Sequence, residues 1–95
     1  MDIADWRKKI DAIDRDLVRL LNERARAVAE IGKIKLQGGL PIESSGREEK
    51  VLENVRNANQ GPLDNEELRR VFERIMEAGK GLQRRLIESN VPKQK

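Results

Sequence analysis

The chain has 95 residues, 39% of them charged and 2% aromatic, with a formal net charge of +3; that is enough for one domain or for half of a shared one. It contains neither Cys nor His, which excludes a disulfide framework, thiolate chemistry, the commonest general base and the commonest metal ligand. Its basic residues alternate with acids, as Lys8, Lys9, Arg15 and Arg19 do with Asp11, Asp14 and Asp16, the pattern of a solvated helix surface and not of a nucleic-acid-binding face.

The opening Met1-Asp2-Ile3-Ala4-Asp5 lacks the basic and apolar regions of a secretory signal. No stretch approaches 18 apolar residues, so no membrane partner is expected and the expected setting is the cytoplasm. From Ile3 onward the apolar positions Trp6, Ile10, Ile13, Leu17, Leu20, Ala27, Ile31 and Ile34 advance by threes and fours, with one slot occupied by Arg24 instead. This is the seam of a helix that packs along its whole length. Gly32 is the sole Gly or Pro between Ile3 and Lys35, so the segment predicts one helix of roughly 33 residues, about 50 Å long. A compact monomer of this size has a radius of gyration of only about 12–13 Å. The helix therefore outruns what its own chain can cover, and a two-fold homodimer with the long helices running past one another is expected.

Gly38, Gly39 and Pro41 end this helix. Ser45-Gly46-Arg47-Glu48 has capping-box spacing and opens a second helix with the apolar face Val51, Leu52, Val55 and Ala58, ending before Gly61-Pro62. Asp64 is the expected cap of a third helix, which carries Leu68, Val71, Phe72, Ile75, Met76, Leu82, Leu86 and Ile87. Residues 91–95 read as a frayed tail to a single domain over 1–90. The expected fold is all-α: three helices per chain, one very long, in an intertwined helical-bundle homodimer.

Several polar residues sit where packing expects apolar ones. Arg24 either snorkels to solvent or meets an anion. Lys35, 11 residues on, lies within about 20° of the same face and roughly 16 Å along the axis, room for a small molecule between the two heads; alternatively it complements the helix dipole. Glu48 heads the face of Val51, Leu52 and Val55, with the capping box as its other use, and neighbouring Arg47 is ordinarily solvated. Gly79 removes a side chain from the third seam and Gln83 follows one turn on, which reads as close helix approach or as a cavity with a neutral amide donor. These groups are mostly cations and neutral donors, suited to a small polyanion held by charge-assisted hydrogen bonds. A nucleophile paired with a base, or a metal-ligand set, is not among them.

Trp6-Arg7-Lys8-Lys9-Ile10-Asp11-Ala12-Ile13-Asp14 resembles the L-R-x-x-I-D-x-I-D opening of the all-helical, AroQ-type chorismate mutases. Leu20-Leu21-Asn22-Glu23-Arg24 with Ile31-Gly32-Lys33-Ile34-Lys35 resembles their L-L-x-x-R and I-G-x-x-K run, and Pro41-Ile42 with Arg47-Glu48-Glu49 resembles their P-x-x-x-x-x-R-E segment. The resemblance implies conversion of chorismate to prephenate by an intramolecular Claisen rearrangement, in the route to Phe and Tyr, without cofactor or metal. Such a pericyclic step needs no acid, base or nucleophile. It needs a compact substrate conformer and stabilisation of charge on the breaking ether oxygen.

By the same resemblance, Arg24 binds a substrate carboxylate and Arg7 reaches in from the partner chain to do likewise. Lys35 and Gln83 donate to the ether oxygen, Glu48 accepts from the ring hydroxyl, and Arg47 is a supporting cation. Ser44 stands where the family commonly has an acid, which bears on the hydroxyl contact. Gly79 stands where it commonly has a small hydroxyl residue, which removes a carboxylate donor. Two other functions are open: an isochorismate–pyruvate lyase using a similar cationic cage, and a non-catalytic helical dimerisation or regulatory module.

Overall fold

The computed structural model describes residues 1–41 and 45–90; the expectations for Ser44 and for the 91–95 tail lie outside them. Three helices make up the fold: α1 (Ile3–Gly38), α2 (Ser45–Ala58) and α3 (Asn65–Asn90). Among the described residues there is no strand.

The helix ends follow from local chemistry. The Asp5 N–H donates to Asp2 Oδ1 at 2.9 Å and the Asp2 N–H to Asp5 Oδ2 at 3.2 Å, a reciprocal cap that starts α1. At 36 residues α1 runs three beyond the expected Lys35, because the chain turns only at Gly39. That residue has φ +65°, and the Leu40 N–H returns to the Lys35 carbonyl at 2.8 Å. Asp64 caps α3 as expected, its Oδ1 accepting from the Glu67 N–H at 2.7 Å. Between α2 and α3, the Asn59 amide donates to the Leu63 carbonyl and accepts from the Gly61 N–H, tying the turn together.

α3 packs against both other helices. Where α1 meets α3 the backbones come close: a Cβ on Gly32 would lie 3.1 Å from Gln83 Cγ, and one on Gly79 would lie 3.4 Å from Val28 Cγ1. These two contacts advance together along both helices, so α3 runs in the direction of α1 there. Glu48 at the start of α2 meets Lys80, whereas Arg56 near its end shares a groove with Asn65 and Arg69, so α2 runs antiparallel to α3.

The face of α1 that α3 covers is not the seam of large apolar residues. Arg24, Ala25, Val28, Ala29 and Gly32 are buried or half-buried, whereas every residue from 1 to 23 is exposed. Ile3 is 69% exposed and Ile34 64%, with Trp6, Ile10, Ile13, Leu17 and Leu20 exposed between them. Small residues permit the close approach of α3, and the large ones are left facing outward.

Val51 is the single apolar side chain classed as buried among the described residues. The molecule measures 62 × 28 × 16 Å with a radius of gyration of 17.2 Å, against about 12 Å for a compact chain of this length. Its accessible surface is 8012 Å², where a compact monomer of this mass exposes about 5,600 Å². Among the described residues no helix is long and apolar enough to cross a membrane.

Candidate active site

A cavity of about 240 Å³ opens where the three helices meet. α1 contributes Arg24 and Lys35, α2 contributes Arg47 and Glu48, and α3 contributes Gly79, Lys80 and Gln83. Ala27, Val28, Ile31, Val51 and Met76 form its apolar wall. Six of the residues singled out from the sequence, Arg24, Lys35, Arg47, Glu48, Gly79 and Gln83, therefore share one cavity.

The helices place these groups for identifiable reasons. Arg24 and Lys35 stand three turns apart on one face of a continuous helix, so the cavity spans the gap between them. Arg24 is half-buried, and its Nη1 would lie 3.9 Å from a Cβ on Gly79. The guanidinium thus lies within van der Waals reach of the position a Cβ at Gly79 would take. Gln83 is only 5% exposed and its Nε2 donates to the Val28 carbonyl at 2.9 Å. That bond anchors the amide across the α1–α3 contact, and a primary amide has a second N–H to give. Glu48 is ion-paired with Lys80, which joins α2 to α3; the Ser45 side chain, the other half of the expected capping box, lies outside the described ones.

Arg7 does not line this cavity. It is exposed on the uncovered half of α1, about 25 Å along the helix from Arg24. Sequence reasoning missed Lys80, a lysine that helical spacing puts one turn before Gln83 and one turn after Met76. That spacing was the available signal, but a lone lysine between two glycines reads as a solvated residue.

On the other side of the α1–α3 contact lies a wider groove of about 800 Å³, floored by Leu21, Ala25, Val71, Ile75, Ala78 and Leu82 and edged by Arg70, Arg74 and Arg85. Its floor is apolar, and it has no carboxylate and no buried amide donor among the described residues. The smaller cavity combines four cations, one carboxylate and one amide. Such a set holds and orients an anionic molecule and stabilises negative charge that develops on it, by charge-assisted hydrogen bonds in a partly desolvated space.

Residues 6–84 match the family model described as chorismate mutase type II. The chain is 31% identical over 94 residues to a chorismate mutase of Methanocaldococcus jannaschii, covering 98% of this chain and 95% of that one. It is 34% identical over 89 residues to a bifunctional chorismate mutase/prephenate dehydratase of Aquifex aeolicus, covering 90% of this chain but a quarter of that protein. The solved structure of a chorismate mutase (form II) from Thermus thermophilus superposes with a TM-score of 0.86 at 38% identity, over 87% of this chain and 94% of that one. Fold, matched span and relatives agree: the chain belongs to the chorismate mutase type II family.

Proposed function

We propose that the chain catalyses the rearrangement of chorismate to prephenate in the three-helix cavity. One observation carries the reading: Arg24, Lys35, Arg47, Glu48 and Gln83, from three helices, line one small cavity in a chain of this family. In this reading Arg24 and Arg47 take the substrate's carboxylates and hold the compact conformer in which the reacting carbons meet. Lys35 and Gln83 donate to the ether oxygen as the carbon–oxygen bond breaks and negative charge grows there. Glu48 accepts from the ring hydroxyl. Gly79 leaves the carboxylate end one donor poorer. Ser44 belongs to the same reading on sequence grounds alone.

The working unit in this proposal is a homodimer. Residues 1–23 of the chain are uncovered, and the excess of accessible surface over a compact monomer is about 2,400 Å² per chain, of the order that obligate dimers bury. An apolar groove edged by arginines lies beside the site, and the free half of α1 offers an apolar seam flanked by Asp11, Asp14 and Asp16. A second copy of α1 seated there brings Arg7 toward the partner's cavity, so that each site is shared. Residues 1–90 carry the activity, and 91–95 are dispensable to it.

The test is ultraviolet detection of chorismate loss by the purified protein with identification of the product. Prephenate is expected. Release of pyruvate from isochorismate, with no prephenate from chorismate, would assign the lyase reaction instead. Failure to bind either dianion would leave a dimerisation module.

A further inference from the structure

Lys80 lies inside the cavity and has no part in the mechanism described above. Its Nζ is ion-paired with Glu48 Oε1, and the two side chains are 26% and 36% exposed. Ion pairs elsewhere, such as Arg19–Glu23, Lys33–Glu30 and Arg70–Glu67, join residues three or four apart on one helix and are more than half exposed; pairs of that kind contribute little. The Lys80–Glu48 pair differs in three ways. It bridges α2 and α3, it is largely withdrawn from solvent, and both partners line the cavity.

Glu48 is the one carboxylate lining that cavity among the described residues. The same cavity is lined by Lys80 from α3, Arg24 and Lys35 from α1, and Arg47 beside Glu48 on α2. In the proposed function Arg24, Lys35 and Arg47 serve the substrate's own anionic groups, whereas Lys80 is ion-paired with Glu48. A carboxylate with one oxygen engaged by a cation holds its rotamer while the other oxygen accepts a hydrogen bond. We propose that Lys80 is a positioning residue for this reaction: it pins Glu48 through Oε1 and leaves Oε2 to accept from the substrate hydroxyl. The inference rests on the chorismate mutase reading of the site and adds to it a residue that acts through Glu48.

Lys80→Met keeps the length and apolar stem of the side chain and removes its charge. The measurements are kcat and KM for chorismate and the melting temperature, for the parent, Lys80→Met, Lys80→Arg, Glu48→Gln and the double variant. A displaced acceptor costs rate more than it costs folding, so Lys80→Met is expected to reduce kcat/KM about tenfold with a melting temperature near the parent's. Lys80→Arg should restore most of the rate. Lys80→Met added to Glu48→Gln should cost little more than Glu48→Gln alone, because the two residues act as one unit.

A purely structural pair lowers the melting temperature and leaves kcat/KM of the folded variant near the parent's, and that result would overturn the inference. So would losses that multiply in the double variant. Should Lys80→Met not fold, Lys80→Arg with most of the parent's rate but Lys80→Gln with a reduced one supports the inference, and equal rates in both overturn it. A parent protein that does not convert chorismate defeats the proposed function and this inference together, whereas an active parent with an indifferent Lys80 defeats this inference alone.

Discussion

Gln83 is buried and polar, and it is satisfied across a helix contact: its Nε2 donates to the Val28 carbonyl 2.9 Å away. The amide's second N–H is the one left for the substrate, and a carboxyl in its place has a single O–H, so it can donate there only while protonated; ionised, it only accepts and opposes both the Val28 carbonyl and the ether oxygen. Gln83→Glu should therefore be most active in acid and lose activity as pH rises through the carboxyl's pKa, which burial raises. The parent, whose amide donates at every pH, should change far less over the same range; superimposable pH profiles of kcat would show that Gln83 is not a donor to the substrate. Lys35 is the second proposed donor. Removing a preorganised donor from a developing oxyanion costs about 3–4 kcal/mol, so Lys35→Ala should fold and lose at least ~10²-fold in kcat/KM. A folded Lys35→Ala variant with near-normal activity would remove Lys35 from the mechanism.

At the scale of elements, the position of α3 on α1 depends on what is absent. A Cβ on Gly32 would come within 3.1 Å of Gln83 Cγ, closer than carbon atoms ordinarily pack. Gly32→Ala gains about 1 kcal/mol of helix propensity and offsets it by displacing Gln83. The expected result is a melting temperature within a few degrees of the parent's and a kcat/KM reduced about tenfold or more, since a displacement of about 1 Å in a positioned group can cost as much as 10²-fold. Unchanged kinetics would mean that Gln83 yields without consequence. At Gly79 the corresponding contacts are 3.4–3.9 Å, ordinary van der Waals distances, so the same argument does not apply there. The α1–α3 contact sets the site's geometry at Gly32 and tolerates change at Gly79.

For the molecule as a whole, the governing fact is a 36-residue helix in which every residue from 3 to 23 is exposed. Arg7 precedes Arg24 by 17 residues, about 25 Å along a rigid helix and roughly 100° around it. No side chain crosses that distance, so in a shared-site dimer Arg7 serves the partner's cavity. Arg7→Ala and Lys35→Ala should each be inactive alone. Unfolded and refolded together, they should form mixed dimers in about half of the population. Each mixed dimer has one site with both lesions and one with neither, so activity should return to about a quarter of the parent's. A refolded mixture as inactive as its components would rule out the shared site and the role of Arg7.

Local rules made much of this legible in advance. The three helices, the Asp64 cap and the glycine stop near Gly38-Gly39 follow from propensity, spacing and capping, interactions that act over a few residues. That a 3–4 stepped stripe from Ile3 to Ile34 cannot be covered by so short a chain followed from length alone, and the stripe is exposed. Arg24, Lys35, Glu48, Gly79 and Gln83 were visible as polar or missing side chains on faces that packing claims, and Arg47, ordinarily solvated by position, through the resemblance. Three-dimensional packing settled the rest. α3 lies on the small-residue face of α1 and not on its large apolar seam, because close approach at Gly32 and Gly79 depends on backbone separation, which no single helix encodes. Lys80 became a member of the site only when α3 carried it to Glu48, a residue of another helix. A pairing between helices depends on how they are laid against each other, and periodicity within one helix carries no record of it.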